Sequence, residues 1–211
     1  MENARAERLH MTDTTDATRA GPTRAKLVAA AVNAFAAKGF HGTTTRDIAA
    51  EAGMSPAALY VHHRSKEEML FLISSEGHAN TLALVRSAVT ASVEPVATLR
   101  RVVSDFAAQH AEGHTVARII NYELAALSPE HQEEIAVLRH EIQREMRAVI
   151  ASGVQSGDFD VLDIDLTTAA VLSMCIDLSR WYAEGGRWSP EQVGNFYAEL
   201  ALRMVGAKPQ S

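Results

Sequence analysis

Three times in this chain a Ser-Pro pair (Ser55-Pro56, Ser128-Pro129, Ser189-Pro190) precedes a run whose apolar residues recur at helical spacing. The serine hydroxyl accepts a hydrogen bond from an amide of the first turn. The proline fixes a helical φ where no donor is needed, so the pair marks a helix start. Reading outward from these starts divides the sequence into helices alone. Thr23 is expected to cap a first helix with a Leu27, Ala30, Ala31, Ala34, Phe35 stripe, which Gly39 stops. A second begins near Thr45, with Thr43 and Thr44 as rival caps, carries Ile48, Ala49 and Ala52 inward, and ends at Gly53. Ser55-Pro56 opens a third, to about His62. Ser65-Lys66-Glu67-Glu68, a capping box, opens a fourth that reaches about Ala91. Five more follow over 95–112, 115–127, 129–156, 163–183 and 189–204. No alternating strand pattern competes with this period. The expected fold class is all-α, with about nine helices.

Residues 1–21 are polar, lack periodicity and end at Gly21-Pro22, which predicts a mobile tail. A head over 22–68 and a body over 69–211 follow. The 47% apolar content supports a packed core. A lone cysteine, Cys175, excludes an internal disulfide and suits a reducing cytoplasm. No long uncharged apolar stretch near the N-terminus resembles a signal peptide, and the most apolar run, Leu166 to Leu178, is too short to span a bilayer. The net charge of −6 hides an asymmetry: residues 1–66 carry nine basic and six acidic side chains, the remainder eleven and twenty. A mildly basic head on an acidic body fits a nucleic-acid partner bound by the head and repelled by the body.

The segment from Thr43 to Glu68 concentrates the chemistry. Two short helices joined at a glycine are what a helix-turn-helix requires. Gly53 permits the sharp turn, while Ile48, Ala49 and Leu59 face inward and lock the helices together. Ala57, Ala58 and the outer face of the third helix are left to enter a major groove.

The residues Thr44-Thr45, Ile48-Ala49, Ala52-Gly53, Ser55, Leu59-Tyr60, His62 and Ser65-Lys66-Glu67, together with Phe35-Ala36-Ala37-Lys38-Gly39-Phe40, resemble the TetR family of bacterial regulators over residues 23–75. The rest of the chain resembles it in helix number and order. The resemblance implies a ligand-responsive repressor of double-stranded, palindromic operator DNA. By it, Thr44 and Thr45 resemble phosphate-contacting hydroxyls at a helix N-terminus, and Arg46 reaches a base edge or phosphate. Ser55, Ala57 and Ala58 lie at the groove-facing start of the recognition helix, where small residues suit contact with thymine methyls. Tyr60 and His62 resemble phosphate or base contacts, and Lys66 a phosphate contact. His63 departs from the pattern, which usually has an aromatic, most often Phe, at this place.

The same resemblance implies an effector cavity among the fourth to eighth helices, with Phe106, His110, Ile119, Tyr122, Met146 and Met174 as candidate lining residues. Arg180-Trp181-Tyr182 before Gly185-Gly186 is similar to acyl-CoA- or lipid-responsive actinobacterial members, with Arg180 and Trp181 as candidate ligand contacts. The alternative is an Asp177–Arg180 pair with Trp181 at a subunit interface. The near-continuous apolar surface of Leu166–Leu178 and the Val193–Met204 stripe predict a homodimer through the last two helices. No metal or cofactor is expected. His62 and His63 are adjacent and point apart, and Gly113 interrupts the helix between His110 and His114. No G-x-S-x-G, Walker or dinucleotide-binding motif points to an enzyme. An all-α enzyme and a helical protein adaptor that keep a helix-turn-helix-like head remain the competing readings.

Overall fold

A computed structural model describes residues 3–208, with side chains from residue 21 onward. The tail expected over 1–21 falls, but for Gly21, outside the residues whose side chains are described. Among the described residues the order is α1 (Asn3–Gly42), α2 (Thr45–Glu51), α3 (Pro56–His62), α4 (Lys66–Thr90), α5 (Pro95–Glu112), α6 (His114–Tyr122), a single 3-10 turn (Leu124–Ala126), α7 (Pro129–Ser156), α8 (Ile164–Trp181) and α9 (Pro190–Met204), with no strand. The fold is all-α, and the expected helices all form. The chain divides into two compact units at Ile73–Ser74, inside α4.

In the head, α1, α2 and α3 pack on one another around Leu27, Phe35, Ile48, Ala49 and Leu59, all buried. Thr44 and Ser55 cap as the sequence offered. Thr44 is extended and closes a capping box with Asp47 on α2. Ser55 accepts from the Ala58 amide ahead of Pro56. Gly53, at φ 63°, holds the left-handed turn between the helices, a conformation costly for any residue with a Cβ. Gly39, at φ 69° and ψ 167°, interrupts the helical dihedrals within α1. Thr23 does not cap: it lies inside α1, one residue after Pro22, with helical backbone, whereas a capping residue needs extended backbone.

In the body, α5 contacts α6, α7, α8 and α9, most extensively α9. It therefore buries Leu99, Val102, Val103, Phe106, Ala107 and His110 on several sides. Burial of each large apolar side chain contributes about 1.5–3 kcal/mol. The helix expected over 115–127 is shorter. The Asn121 side-chain amide donates to the Ala117 carbonyl at 2.8 Å, competing for an acceptor of the helical ladder. The chain then tightens into the 3-10 turn before Ser128, which must be extended ahead of Pro129.

Candidate nucleic-acid interface and ligand pocket

The recognition elements of the head are closely tied together and leave most of α3 exposed. α3 buries only Leu59, leaving Ala57, Tyr60 and Val61 exposed. A helix of two turns with one buried residue keeps most of its surface for a partner. The Thr45 hydroxyl lies 3.1 Å from the Tyr60 hydroxyl, linking the start of α2 to the exposed side of α3. Arg46 and Ser55 are exposed, and Ala58 and His62 half-buried.

Two of the expected phosphate contacts are engaged within the head itself. Thr44 donates its hydroxyl proton to Asp47 Oδ2 at 2.6 Å and accepts from the Asp47 amide at 3.2 Å. Lys38 donates to the other Asp47 oxygen at 2.7 Å. These hydrogen bonds, that of Lys38 foremost, hold the Asp47 carboxyl well below the usual carboxylate range. Lys66 donates to the carbonyls of Phe40 at 2.8 Å and Thr43 at 2.7 Å, with its ammonium 4.3 Å from the centre of the Phe40 ring. It caps the C-terminal end of α1, where a cation is favoured by the helix dipole. His63 is buried (1% exposed), and neither ring nitrogen finds a hydrogen-bond partner of good geometry. Burial pushes its pKa down; the Arg24 and His62 charges add to this, and the Arg24 backbone and Glu68 oppose it.

The body holds a cavity of about 340 Å³, within the range of small-molecule sites. Its lining comes from α4 (His78, Thr81), α5 (Phe106, His110), α6 (Ile120, Asn121), α7 (Arg139, His140, Gln143) and α8 (Leu172, Ser173, Ile176), among others. Polar and apolar side chains share the lining about equally. Gly77 on α4 faces α6 closely: a Cβ there would sit 2.6 Å from Ile120 Cδ1. Ile120 thus touches both α4 and the cavity.

Residues 27–73 match the family described as bacterial regulatory proteins, tetR family, and residues 92–205 match the tetracyclin repressor-like C-terminal domain. The chain belongs to the TetR family. It is 31% identical over 183 residues to the HTH-type transcriptional repressor KstR2 of Mycolicibacterium smegmatis, spanning 85% of this chain and 88% of that protein. Among solved structures, a TetR-family regulatory protein from Rhodococcus RHA1 superposes with a TM-score of 0.84 at 40% identity, covering 89% of this chain and 98% of that one. AibR, solved in complex with isovaleryl coenzyme A and operator DNA, has the same fold: TM-score 0.78 at 23% identity, covering 88% of this chain and all of that one. These relatives are transcriptional regulators, and in this TetR-family chain the helix-turn-helix is the DNA-binding element.

Of the lining residues expected for the TetR-family cavity, the structure brings Phe106 and His110 together. Ile119 and Met146 are buried in the core, and Met174 is half-buried against it; none lines the cavity. Helical spacing selects the buried side of a helix but not whether a void or a neighbour lies beyond it. Tyr122 donates to Asp177 Oδ1 at 3.1 Å, and Arg180 pairs with the same oxygen at 3.3 Å, on the surface and outside the cavity. Trp181 is 45% exposed and meets Trp188 edge-on. A separate recess beside Tyr182, Gly185 and Trp188 includes neither Arg180 nor Trp181. The polar lining residues His78, Thr81, Arg139, His140 and Gln143 went unrecognised in the sequence. The available signal was a histidine, His78, in line at helical spacing with Leu82 and Val85 of α4.

Proposed function

We propose that this TetR-family protein represses transcription by binding a palindromic operator as a homodimer and leaves it when a small acidic acyl effector fills the α4–α8 cavity. The observation that carries the reading is α3: one buried residue, Leu59, and an otherwise open face beside the Thr45–Tyr60 hydroxyl pair. In this reading Thr45, Tyr60, Arg46 and His62 contact phosphates or base edges, and Ser55, Ala57 and Ala58 lie in the groove. With so few bidentate groups on that face, specificity draws partly on DNA shape. Thr44 and Lys66 act first as caps, so any phosphate contact they make shares those hydrogen bonds.

Leu166, Trp181, Phe196 and Met204 expose apolar surface on α8 and α9. Pairing these helices with a twofold mate forms a four-helix interface and spaces the recognition helices by about 34 Å or a multiple of it. No helix among the described residues is long and apolar enough to cross a membrane, and a DNA-bound regulator works in the cytoplasm. The acyl class is supported by relatives bound to or named for acyl and ketosteroid compounds, and by Arg139 at the cavity, a cation without a salt bridge among the described residues. Effector binding acts on α4 through Ile120 and Gly77. Moving the equilibrium from 1:99 to 99:1 requires the effector to prefer the released state by about 5.5 kcal/mol.

Fluorescence anisotropy with short duplexes from the promoter of its own gene tests the reading. Affinity should fall linearly with log salt, with a slope of about −0.9 per phosphate neutralised, and an acyl-CoA should release the duplex. Tyr60→Phe should weaken binding about equally on all sequences if its contact is to phosphate; a loss confined to one base position assigns it to base readout instead. Absence of binding at low salt refutes the regulator reading.

A further inference from the structure

One part of the cavity wall, formed by His78, His110 and Thr81, presents hydrogen-bond acceptors whose own protons are already committed. His78 and His110 are 4% and 5% exposed and both line the cavity. His78 Nδ1 lies 2.8 Å from the Ser74 carbonyl oxygen, and His110 Nδ1 lies 3.1 Å from that of Phe106. A carbonyl oxygen only accepts, so each Nδ1 carries the proton and each Nε2 presents a lone pair. Neither Nε2 has a hydrogen-bond partner among the described residues, and neither is sealed off as an orphaned buried atom. Both rings are held neutral: burial depresses His78, helped by the Arg139 charge, and takes His110 down to about 4, helped by His78. Thr81 beside them shares its one proton between the Gly77 carbonyl and Gln109 Oε1, leaving its oxygen as a further acceptor. The His110 ring also stacks on Phe106 at 4.3 Å between centroids, which fixes its orientation. On α7 the cavity offers the opposite chemistry in the guanidinium of Arg139.

We propose that the His78–His110 pair reads a hydroxyl on the effector, so that the cavity takes a hydroxylated acyl compound whose acidic group faces Arg139, and rejects the corresponding ketone. The inference rests on the effector reading of the cavity and specifies its ligand. A hydroxyl donates to an Nε2 lone pair. A carbonyl at the same place has no proton and sets lone pair against lone pair, and an unsubstituted chain leaves both acceptors desolvated and unpaired.

The test is calorimetric binding of three medium-chain fatty acids to the full-length protein without DNA. They are identical but for a hydroxyl, a ketone carbonyl or an unsubstituted methylene at the penultimate carbon. The hydroxy acid should bind roughly tenfold or more tighter than either analogue. That preference should vanish in His78→Phe and His110→Phe. Nitrogen NMR of the unsubstituted protein keeps the test independent of their folding. Both imidazoles should appear as Nδ1–H tautomers, and an Nε2 resonance should shift with the hydroxy acid only. Equal or tighter binding of the oxo acid, no binding by any of the three, or a hydroxyl preference that survives both substitutions overturns the inference. A hydroxyl preference without release of operator DNA in anisotropy would instead refute the effector reading and leave the pocket chemistry standing. Release by all three acids alike would do the reverse.

Discussion

The head and the body satisfy their polar groups in opposite ways. In the head, Thr44, Asp47 and Lys38 close on one another, Lys66 closes on the end of α1, and Ser55 closes on α3. Thr44 and Asp47, and Ser55 and Ala58, are three residues apart, Lys38 and Asp47 nine, and Lys66 reaches back 23 residues to Thr43. In the body, the cavity collects His78, His110, Asn121, Arg139 and Ser173 from five helices and leaves several of their valences open. A region that must present one fixed surface spends its hydrogen bonds on its own geometry, whereas a region that receives a ligand keeps some unspent. His63 is the exception within the head: a buried polar ring with no good partner.

The largest expected effect separates the two units outright. Leu59→Ala removes the one buried anchor of α3 and should destabilise the head by about 2–5 kcal/mol. DNA binding should be lost while ligand binding by the body persists, as followed by anisotropy and calorimetry on the same preparation. Loss of both activities would show that the two units are not independent.

His63→Phe sharpens the comparison by removing the exception. It deletes two unsatisfied buried nitrogens and restores the aromatic expected of the family, and should stabilise the head by about 1–2 kcal/mol in thermal unfolding. The pH dependence should change with it. The folded ring has a depressed pKa, so below about pH 6.5 the unfolded chain binds more protons than the folded one. The contribution is therefore intact above that value and lost as pH falls toward the folded pKa. In His63→Phe the head should lose less stability over that window. An unchanged slope would assign the acid sensitivity to other groups.

Gly77→Ala probes the body. The added methyl meets the far end of Ile120, which can turn toward the cavity, and alanine is worth up to about 1 kcal/mol over glycine within a helix. Stability should change by less than about 1 kcal/mol while effector affinity falls, and Ile120→Val should restore part of it. Unchanged affinity would disconnect Ile120 from ligand binding. The smallest effect is at Lys66. If it only caps α1, Lys66→Gln should weaken DNA binding slightly without altering the salt dependence. A slope smaller by about 1 would assign it a phosphate as well.

The helix-turn-helix was legible because its determinants are local. Thr44 and Asp47, Gly53, and Ser55 with Pro56 act within one or two turns of themselves, and Leu59 joins Ala49 and Ile48, ten and eleven residues earlier, in one small core. The cavity was legible only in outline. Phe106 and His110 were candidates through the family resemblance, and sequence could not separate them from Ile119 or Met146, which are buried in the core and do not line the cavity. The Arg180-Trp181 stretch allowed two readings, an anion site by composition or an Asp177–Arg180 pair, and Asp177, one turn earlier, does engage the guanidinium at the surface.

By itself, then, the sequence determined the helices and most of their caps, since capping, turn conformation and helical period depend on neighbours along the chain. Only the tertiary structure decided where Lys66 spends its charge, that His63 is buried with no ring-nitrogen partner of good geometry, and that two histidines 32 positions apart line one cavity. Each of these depends on which helix lies across from which, and so on packing between residues far apart in the chain.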